Sequence, residues 1–117
     1  MTAATHSALD TRTLALASMH AREGAPRLNA DELDGHLAAL PGWALAADRI
    51  EKRFDFRDYH ATLEFVNAVA WIAHREDHHP DLSVHYNHCD VVWSTHSAGG
   101  VTLNDVICAA KIERLFA

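Results

Sequence analysis

Hydrophobic residues recur at helical spacing in three parts of the chain, and each part follows a residue that can cap a helix. The first part begins after Asn29, with Glu32 three residues later as in a capping box. Pro41 ends this part, whose apolar face consists of Leu33, Leu37 and Leu40. These features predict a short amphipathic helix.

The middle part begins after the capping residue Asp58 and is apolar on two sides. One stripe comprises Tyr59, Leu63, Val66, Ala70 and Ala73, and the other comprises Phe65, Val69 and Ile72. A helix with two apolar sides has to cover both of them. We therefore expect one side to pack on a sheet and the other to pack on another helix or a partner chain.

Apolar and polar residues alternate between the helical parts, which is typical of half-buried strands. The clearest alternation covers residues 50–56, and shorter ones cover residues 43–45, 82–86 and 91–96. The last helical part begins after Thr102. The predicted order is α-β-β-α-β-β-α, which favours an α+β fold with a four-stranded antiparallel sheet and three helices on one face.

Residues 1–27 have a different character, being rich in Ala, Thr and Ser. Residues 14–17 could form a turn or two of helix, which is too short to be stable alone. We predict a dispensable N-terminal extension that is flexible unless it docks on a neighbour. One domain is expected to follow at residues 28–117.

Composition and charge narrow the functional classes. The 117 residues are 49% hydrophobic and 22% charged, as in ordinary globular proteins. The net charge of −6 with neutral histidines disfavours a nucleic-acid surface. Cys89 and Cys108 lack CxxC spacing and are expected to be reduced thiols. Neither a secretory signal nor a membrane-spanning apolar run is recognisable, so we expect a cytoplasmic protein without nucleic-acid or membrane partners.

The strongest concentration of ionisable side chains is the run HREDHHP at residues 74–80. Six of the ten histidines lie between His74 and His96, and imidazole exchanges protons near neutral pH. Pro80 disfavours helical geometry at His79, so we expect the helix to stop there. His78 and His79 would then point in different directions, as a proton-transfer pair could. A polar, solvated helix end is the plainer interpretation.

The spacing of this run and of the residues after it resembles the signature of the pterin-4a-carbinolamine dehydratases. The matching elements are His74-x3-His78-His79-Pro80, Tyr86, His96 and Asp105, together with Phe54-x-Phe56 and Ser94-Thr95-His96. The resemblance covers residues 28–117. It implies three helices against a four-stranded antiparallel sheet, in a homodimer or homotetramer. The implied reaction is the dehydration of 4a-hydroxytetrahydrobiopterin to quinonoid dihydropterin, which recycles the pterin cofactor of aromatic amino-acid hydroxylases. No metal or organic cofactor is implied.

The resemblance also implies a set of site residues. His78, His79 and His96 correspond to the histidines that line the pterin site in the family. Substrate contacts are expected from His74, Asp77, Pro80, Ser94, Thr95 and Ser97. Two departures matter: His74 stands where an acidic residue is frequent, and Leu82 stands where some members have Trp.

The chemistry of the reaction suggests a role for each of the site histidines and for Asp105. Loss of water from a carbinolamine needs one proton delivered to the hydroxyl and one removed from the adjacent ring nitrogen, and side chains with a pKa near neutrality do this well. We expect His78 and His96 to transfer protons and His79 to position the ring. Asp105 has two candidate roles: it can cap the last helix, or it can orient a site histidine.

Two alternatives remain at the level of sequence. His74 and His78 have the spacing of two metal ligands on one helix face, but Arg75 occupies the glutamate position of HExxH, and we expect no metal. The rival function is a binding or assembly module, since some relatives stabilise the dimeric state of a transcription factor or assist the assembly of a carbon-fixing enzyme. The presence of all three site histidines favours an enzyme.

Overall fold

A four-stranded antiparallel sheet forms the centre of the computed structural model, which describes residues 9–117. The spatial order is β1-β2-β4-β3, in which the strands are β1 (Ala44–Ala46), β2 (Arg49–Asp55), β3 (Asp81–Val84) and β4 (His88–Trp93). The helices are α1 (Thr11–Ala17), α2 (Ala30–Leu37), α3 (Tyr59–Glu76) and α4 (Leu103–Arg114). The predicted α+β class and its strand and helix order from α2 onward are confirmed. Predictions for residues 1–8 fall outside the described residues.

The alternation of β4 places its apolar side chains on the inner face of the sheet. Cys89, Val91 and Trp93 are fully buried, whereas the residues between them are half-buried on the outer face. In the antiparallel register, Ile50 of β2 lies opposite Trp93. The strand ends at Trp93, so residues 94–96 lie outside it, although the sequence predicted them to be strand.

Helix α4 is buried on all sides because it packs against α1, α3 and β4. Its buried charged residues have partners inside the protein. Lys111 Nζ donates to the carbonyl of Ala17 at 2.8 Å. Glu113 accepts from the indole N–H of Trp43 at 3.1 Å and from Lys52 Nζ at 2.9 Å. These bonds tie α4 to the neighbouring elements.

Helix α1 shows which of the two alternatives left open by the sequence, flexible or docked, applies to this part of the N-terminal extension. Instead of running free, it packs on α4, and its Thr13 hydroxyl donates to the carbonyl of Ala39. Thr13 and Ala17 are fully buried. A helix of this length is not stable alone, and here its packing against the rest of the protein stabilises it. The domain boundary at residue 28 stays a prediction.

Helix α3 ends at Glu76, three residues before the predicted end at His79. Asp77 has a left-handed backbone with φ 49° and forms the C-cap, and the amide of His78 donates to the carbonyl of Ala73 at 3.2 Å. A left-handed residue ends a helix by turning the next residue out of its path. His78 and His79 therefore lie outside the helix, with His78 half-buried and His79 exposed.

The two apolar stripes of α3 have different environments. Phe65 and Val69 of the second stripe are fully buried against the core. Tyr59 and Leu63 of the first stripe are exposed, as is the neighbouring Trp71 at 61%. Within the described residues, no helix is long and apolar enough to cross a membrane.

Candidate active site

His78 lies between the end of α3 and the inner face of the sheet. Its ring stacks on the indole of Trp93, with ring centres 5.4 Å apart and an angle of 12° between the planes. Its Nε2 atom lies 2.5 Å from Oδ1 of Asp105, at the start of α4. The ring is thus held on one flat face and at one nitrogen, which leaves it little rotational freedom.

Asp105 is fully buried and uses both carboxylate oxygens. While Oδ1 contacts His78, Oδ2 accepts from the hydroxyl of Thr95 at 2.8 Å and from the amide of Thr102 at 2.9 Å. The last contact completes the capping box of α4. The two roles that the sequence left open, helix cap and histidine partner, are therefore both present in the geometry of one side chain.

This arrangement fixes the tautomer of His78 when Asp105 is ionised. A carboxylate only accepts hydrogen bonds, so Nε2 has to carry a hydrogen and donate it. In neutral imidazole the other nitrogen, Nδ1, is then the acceptor. Within the described residues Nδ1 has no hydrogen-bond partner, which leaves it available to take a proton from a ligand.

A cleft with a volume of about 410 Å³ opens beside His78. Asp77 and the neighbouring Glu76 form the wall at the end of α3, and Thr95, Ser97 and Asn104 contribute the wall near the start of α4. The remaining wall is residues 21–25, which belong to the segment after α1. The cleft is therefore assembled from three regions that are distant in sequence.

We call residues 20–25 the strap. Its first anchor is the buried carboxylate of Glu76, which accepts from the amide of Ala21 at 2.7 Å and contacts Nδ1 of His20 at 3.1 Å. Burial of Glu76 would raise the pKa of its carboxyl, but the bonds from Ala21 and His20 and the charge of Lys111 outweigh burial and lower that pKa. Glu76 therefore holds the strap as a carboxylate.

The second anchor of the strap is the side chain of Asn104. Its Oδ1 accepts from the amide of Arg22 at 3.0 Å, and its Nδ2 donates to the carbonyl of the same residue at 2.7 Å. Both backbone groups of Arg22 are thus paired with one amide side chain, as they would be with a neighbouring strand. The backbone of the strap is fixed at two successive residues.

The structure brings together half of the site residues that the sequence predicted. Asp77, His78, Thr95 and Ser97 line the cleft, and Asp105 lies directly behind His78. Their proximity follows from the turn at Asp77 and from the hydroxyl of Thr95, which contacts Asp105 in the first turn of α4. The catalytic and binding roles of these residues stay predictions.

The other predicted site residues do not line this cleft. His79 and Pro80 continue along the chain toward β3, and His74 is exposed with its ring 5.7 Å from that of Trp71. Ser94 donates to the carbonyl of Asp48 at 3.0 Å. His96 is exposed at the start of the 3-10 turn His96–Ala98, between the two cleft residues Thr95 and Ser97.

Sequence reasoning missed the strap, Glu76 and Asn104. Asn104 pairs with a residue 82 positions away, and Glu76 with one 55 positions away, so no local pattern could reveal either contact. The available signal was the position of Glu76 inside the charged run at residues 74–80. A carboxylate that faces the core from the last turn of an apolar helix needs a partner.

Known proteins resemble this chain over the regions that hold His78 and Asp105, whereas residues 21–25 of the cleft lie before the matched family profile. A family profile described as "Pterin 4 alpha carbinolamine dehydratase" matches residues 26–115. A Nitrosospira multiformis protein named "Putative pterin-4-alpha-carbinolamine dehydratase" is 53% identical over 95 residues, which are 80% of this chain and 84% of that protein. A protein of the same name from Chromobacterium violaceum is 59% identical over 80 residues, 68% of this chain and 74% of the relative.

Solved structures of similar proteins also include one described as a pterin dehydratase. A protein from Brucella melitensis, described as a transcriptional coactivator/pterin dehydratase, aligns with a TM-score of 0.75 and 34% identity over 78% of this chain and 99% of that one. A pterin dehydratase-like protein identified as a RuBisCO assembly factor in the alpha-carboxysome aligns with a TM-score of 0.53 and 20% identity over 64% of this chain and 87% of that one, which shows a shared fold only. With the profile spanning both the His78 region and its buried partner Asp105, the chain belongs to the pterin-4-alpha-carbinolamine dehydratase family.

Proposed function

We propose that this protein dehydrates 4a-hydroxytetrahydrobiopterin to quinonoid dihydropterin by histidine general acid/base catalysis, and so recycles the cofactor of aromatic amino-acid hydroxylases. The observation that carries the proposal is the His78–Asp105 pair at the edge of the cleft, in a chain of this family. A buried carboxylate that orients an imidazole beside a cleft is the usual arrangement of a positioned proton acceptor.

The reaction is an elimination in which one bond to oxygen breaks and one C=N bond forms. His78, with Asp105 bound to Nε2, takes the proton of the ring nitrogen at its free Nδ1. A protonated group gives its proton to the 4a-hydroxyl, which leaves as water. The base has then gained one proton and the acid has lost one, so exchange with solvent restores both. A well-placed acid or base of this kind typically contributes about 10²–10⁴-fold.

We assign the acid to His96. Both residues that flank it in sequence line the cleft, which supports a place for its imidazole beside a bound ring. His79, which follows His78 directly, is assigned to positioning the ring or assisting the transfer, and Asp77, Thr95 and Ser97 are assigned as polar contacts. The role of His74, Pro80 and Ser94 in this scheme is to shape the surroundings rather than to touch the reacting atoms. No metal or organic cofactor takes part in the proposed reaction.

We further propose that the protein acts in the cytoplasm as a homodimer or homotetramer. The supporting observation is the exposed apolar stripe of α3, in which Tyr59, Leu63 and Ala70 recur at helical spacing beside Trp71. Such a stripe is typical of a surface that packs against another chain. The same stripe is what a non-catalytic binding or assembly module would use, so it supports association and does not distinguish the two functions.

Measured turnover separates the enzyme from the binding module. The full chain is mixed with enzymatically generated 4a-carbinolamine, and formation of the quinonoid product is followed by absorbance. His78→Ala and His96→Ala should each lower kcat by about 10²-fold or more. His60→Ala, which removes an exposed histidine of α3, is the matched control and should leave kcat unchanged. Absence of turnover by the unaltered protein, or near-normal rates in both site variants, would favour the binding module.

A further inference from the structure

We propose that the strap is a built part of the substrate site and that Arg22 and Glu23 recognise a hydroxylated substituent of the pterin ring. This inference rests on the proposed function, because it names the part of the substrate that the same cleft recognises. It assigns a role in specificity to residues that the sequence placed in a dispensable extension. The strap is continuous with α1, which docks on α4.

The strap is fixed in place at both ends and in the middle. Glu76, whose side chain is only 3% exposed, holds the amide of Ala21 at 2.7 Å. Asn104, which is also buried, holds both backbone groups of Arg22. At the far end Ala25 is buried, and the amide of Leu28 donates to the carbonyl of Val101 at 2.9 Å. A segment held this way cannot move away without leaving buried polar groups unpaired.

The two residues that fix the strap, Glu76 and Asn104, are close in sequence to the His78–Asp105 pair. Glu76 is two residues before His78, and Asn104 is the residue before Asp105. The position of the strap is therefore coupled to that of the His78–Asp105 pair through rigid, short connections. A ligand that contacts the imidazole of His78 also lies beside the strap, because both line one cleft of about 410 Å³.

The side chains that the strap presents are not needed for its own packing. Arg22 and Glu23 both line the cleft, and both are exposed. Within the described part of the chain, no ion pair or side-chain hydrogen bond engages either of them. Gly24, with φ 76°, turns the chain directly after them, toward the buried Ala25. The backbone is thus immobilised while one cationic donor and one anionic acceptor remain open to a ligand.

This pair of side chains fits a polar, hydroxylated substituent better than an apolar one. A hydroxyl both donates and accepts, so it can give a hydrogen bond to the Glu23 carboxylate and accept one from the Arg22 guanidinium. Hydrogen bonds to charged groups are stronger than those between neutral groups. A site with such groups discriminates strongly against an analogue that lacks the hydroxyl, since the groups are then left unpaired.

The test compares two substrates in the full chain. One 4a-carbinolamine carries a dihydroxypropyl side chain on the ring, and the other carries a methyl group at the same position. In the Arg22→Ala/Glu23→Ala variant, we expect KM for the hydroxylated substrate to rise by about tenfold, the loss expected for hydrogen bonds to charged groups. KM for the methyl substrate and kcat for both should change by less than about twofold, because neither depends on those bonds.

The matched control is Arg49→Ala/Asp34→Ala, which removes one charge of each sign from exposed positions outside the cleft. It should leave both KM values unchanged. An unchanged KM for the hydroxylated substrate in the strap variant, or equal increases for both substrates, would overturn the assignment of Arg22 and Glu23.

A binding measurement separates this inference from the proposed function. A stable 7,8-dihydropterin with the dihydroxypropyl side chain is titrated by fluorescence against the unaltered protein and the strap variant, and amide exchange of residues 21–25 is followed with and without it. Tighter binding by the unaltered protein and slower exchange on binding support the strap even if no dehydration occurs. Equal affinities of the two proteins, including an absence of binding by both, overturn it.

Discussion

Replacing Asp105 by Asn tests the contact on which the proposed mechanism depends. The substitution preserves size and removes the negative charge from a fully buried site. Asn can still satisfy all three neighbours if its Oδ1 accepts from the Thr95 hydroxyl and the Thr102 amide, while its Nδ2 donates to Nε2 of His78. That last bond is reversed relative to the native one, because Nε2 becomes an acceptor.

The reversal has a kinetic consequence. His78 would carry its hydrogen on Nδ1, so the nitrogen available to the ligand would be a donor and could not take a proton. We predict that kcat falls at least about tenfold, which is roughly 1.4 kcal/mol of barrier. It could fall by about 10²-fold if His78 is the only base.

The expected effect on stability is smaller. The hydrogen bonds to Thr95 and Thr102 persist, so the main loss is the interaction of the charge with the start of α4. Such interactions typically contribute about 0.3–1 kcal/mol, and somewhat more where they are partly buried. We expect a loss of about 1 kcal/mol in the free energy of unfolding, which corresponds to a decrease of about 4 °C in melting temperature for a domain of this size.

The assay combines steady-state kinetics with denaturant unfolding of the same preparations. Glu32→Gln is the matched control, because Glu32 occupies the same position in the capping box of α2, with its carboxylate 3.0 Å from the Asn29 amide. Within the described residues, no histidine forms a hydrogen bond with Glu32. This variant also loses the negative charge of a capping box, and it should keep full turnover. Normal kinetics for Asp105→Asn together with a clear loss of stability would reduce Asp105 to a helix cap and refute the role proposed for the pair.

Three further predictions concern the strap anchor Glu76, the buried Glu113–Lys52 pair and the proposal that the reaction needs no metal. The pKa of Glu76 is lowered, so its contribution to stability is present above the ordinary value of 4.5 and is lost as pH falls through the lowered pKa; Glu76→Gln should flatten the dependence of unfolding free energy on pH below 4.5, and an unchanged slope would contradict this. Glu113→Ala leaves Lys52 and the Trp43 indole without this buried acceptor and should cost about 3–5 kcal/mol, whereas Glu113→Leu/Lys52→Met should lose clearly less in the same denaturant titration. Turnover should survive dialysis against a chelator, and activity that disappears and returns only with added zinc would refute metal-free proton transfer.

Local patterns in the sequence predict much of the fold. The capping residues Asn29, Asp58 and Thr102 start the helices where the structure has them, because a cap needs only a side chain and the next three amides. Alternation indicated all four strands, since the side-chain period of a strand is visible without any partner. It did not place their ends, because β4 covers His88–Trp93 instead of residues 91–96. The spaced histidines and Asp105 identified the family in the same way, because their spacing along the chain is itself the signal.

Where helix α3 ends depended on tertiary structure. Pro80 predicted an end at His79, yet the left-handed turn at Asp77 ends the helix at Glu76. The turn brings His78 over Trp93 and within reach of Asp105, contacts that local propensity does not encode. Which apolar stripe of α3 faces the core was likewise open in the sequence, since both stripes are apolar enough to be buried.

The largest difference between the prediction from sequence and the structure concerns the N-terminal segment. Its composition and its short apolar run favour an extension, and by itself a seven-residue helix such as α1 would not persist. Its order comes from bonds to residues 26 to 94 positions away, including Ala39, Lys111 and Asn104. The sequence by itself thus determined the elements, the family and the chemical groups, because these depend on near neighbours along the chain. Only the tertiary structure decided that His78 and Asp105 meet and that the strap walls the cleft, because both depend on contacts between distant parts of the chain.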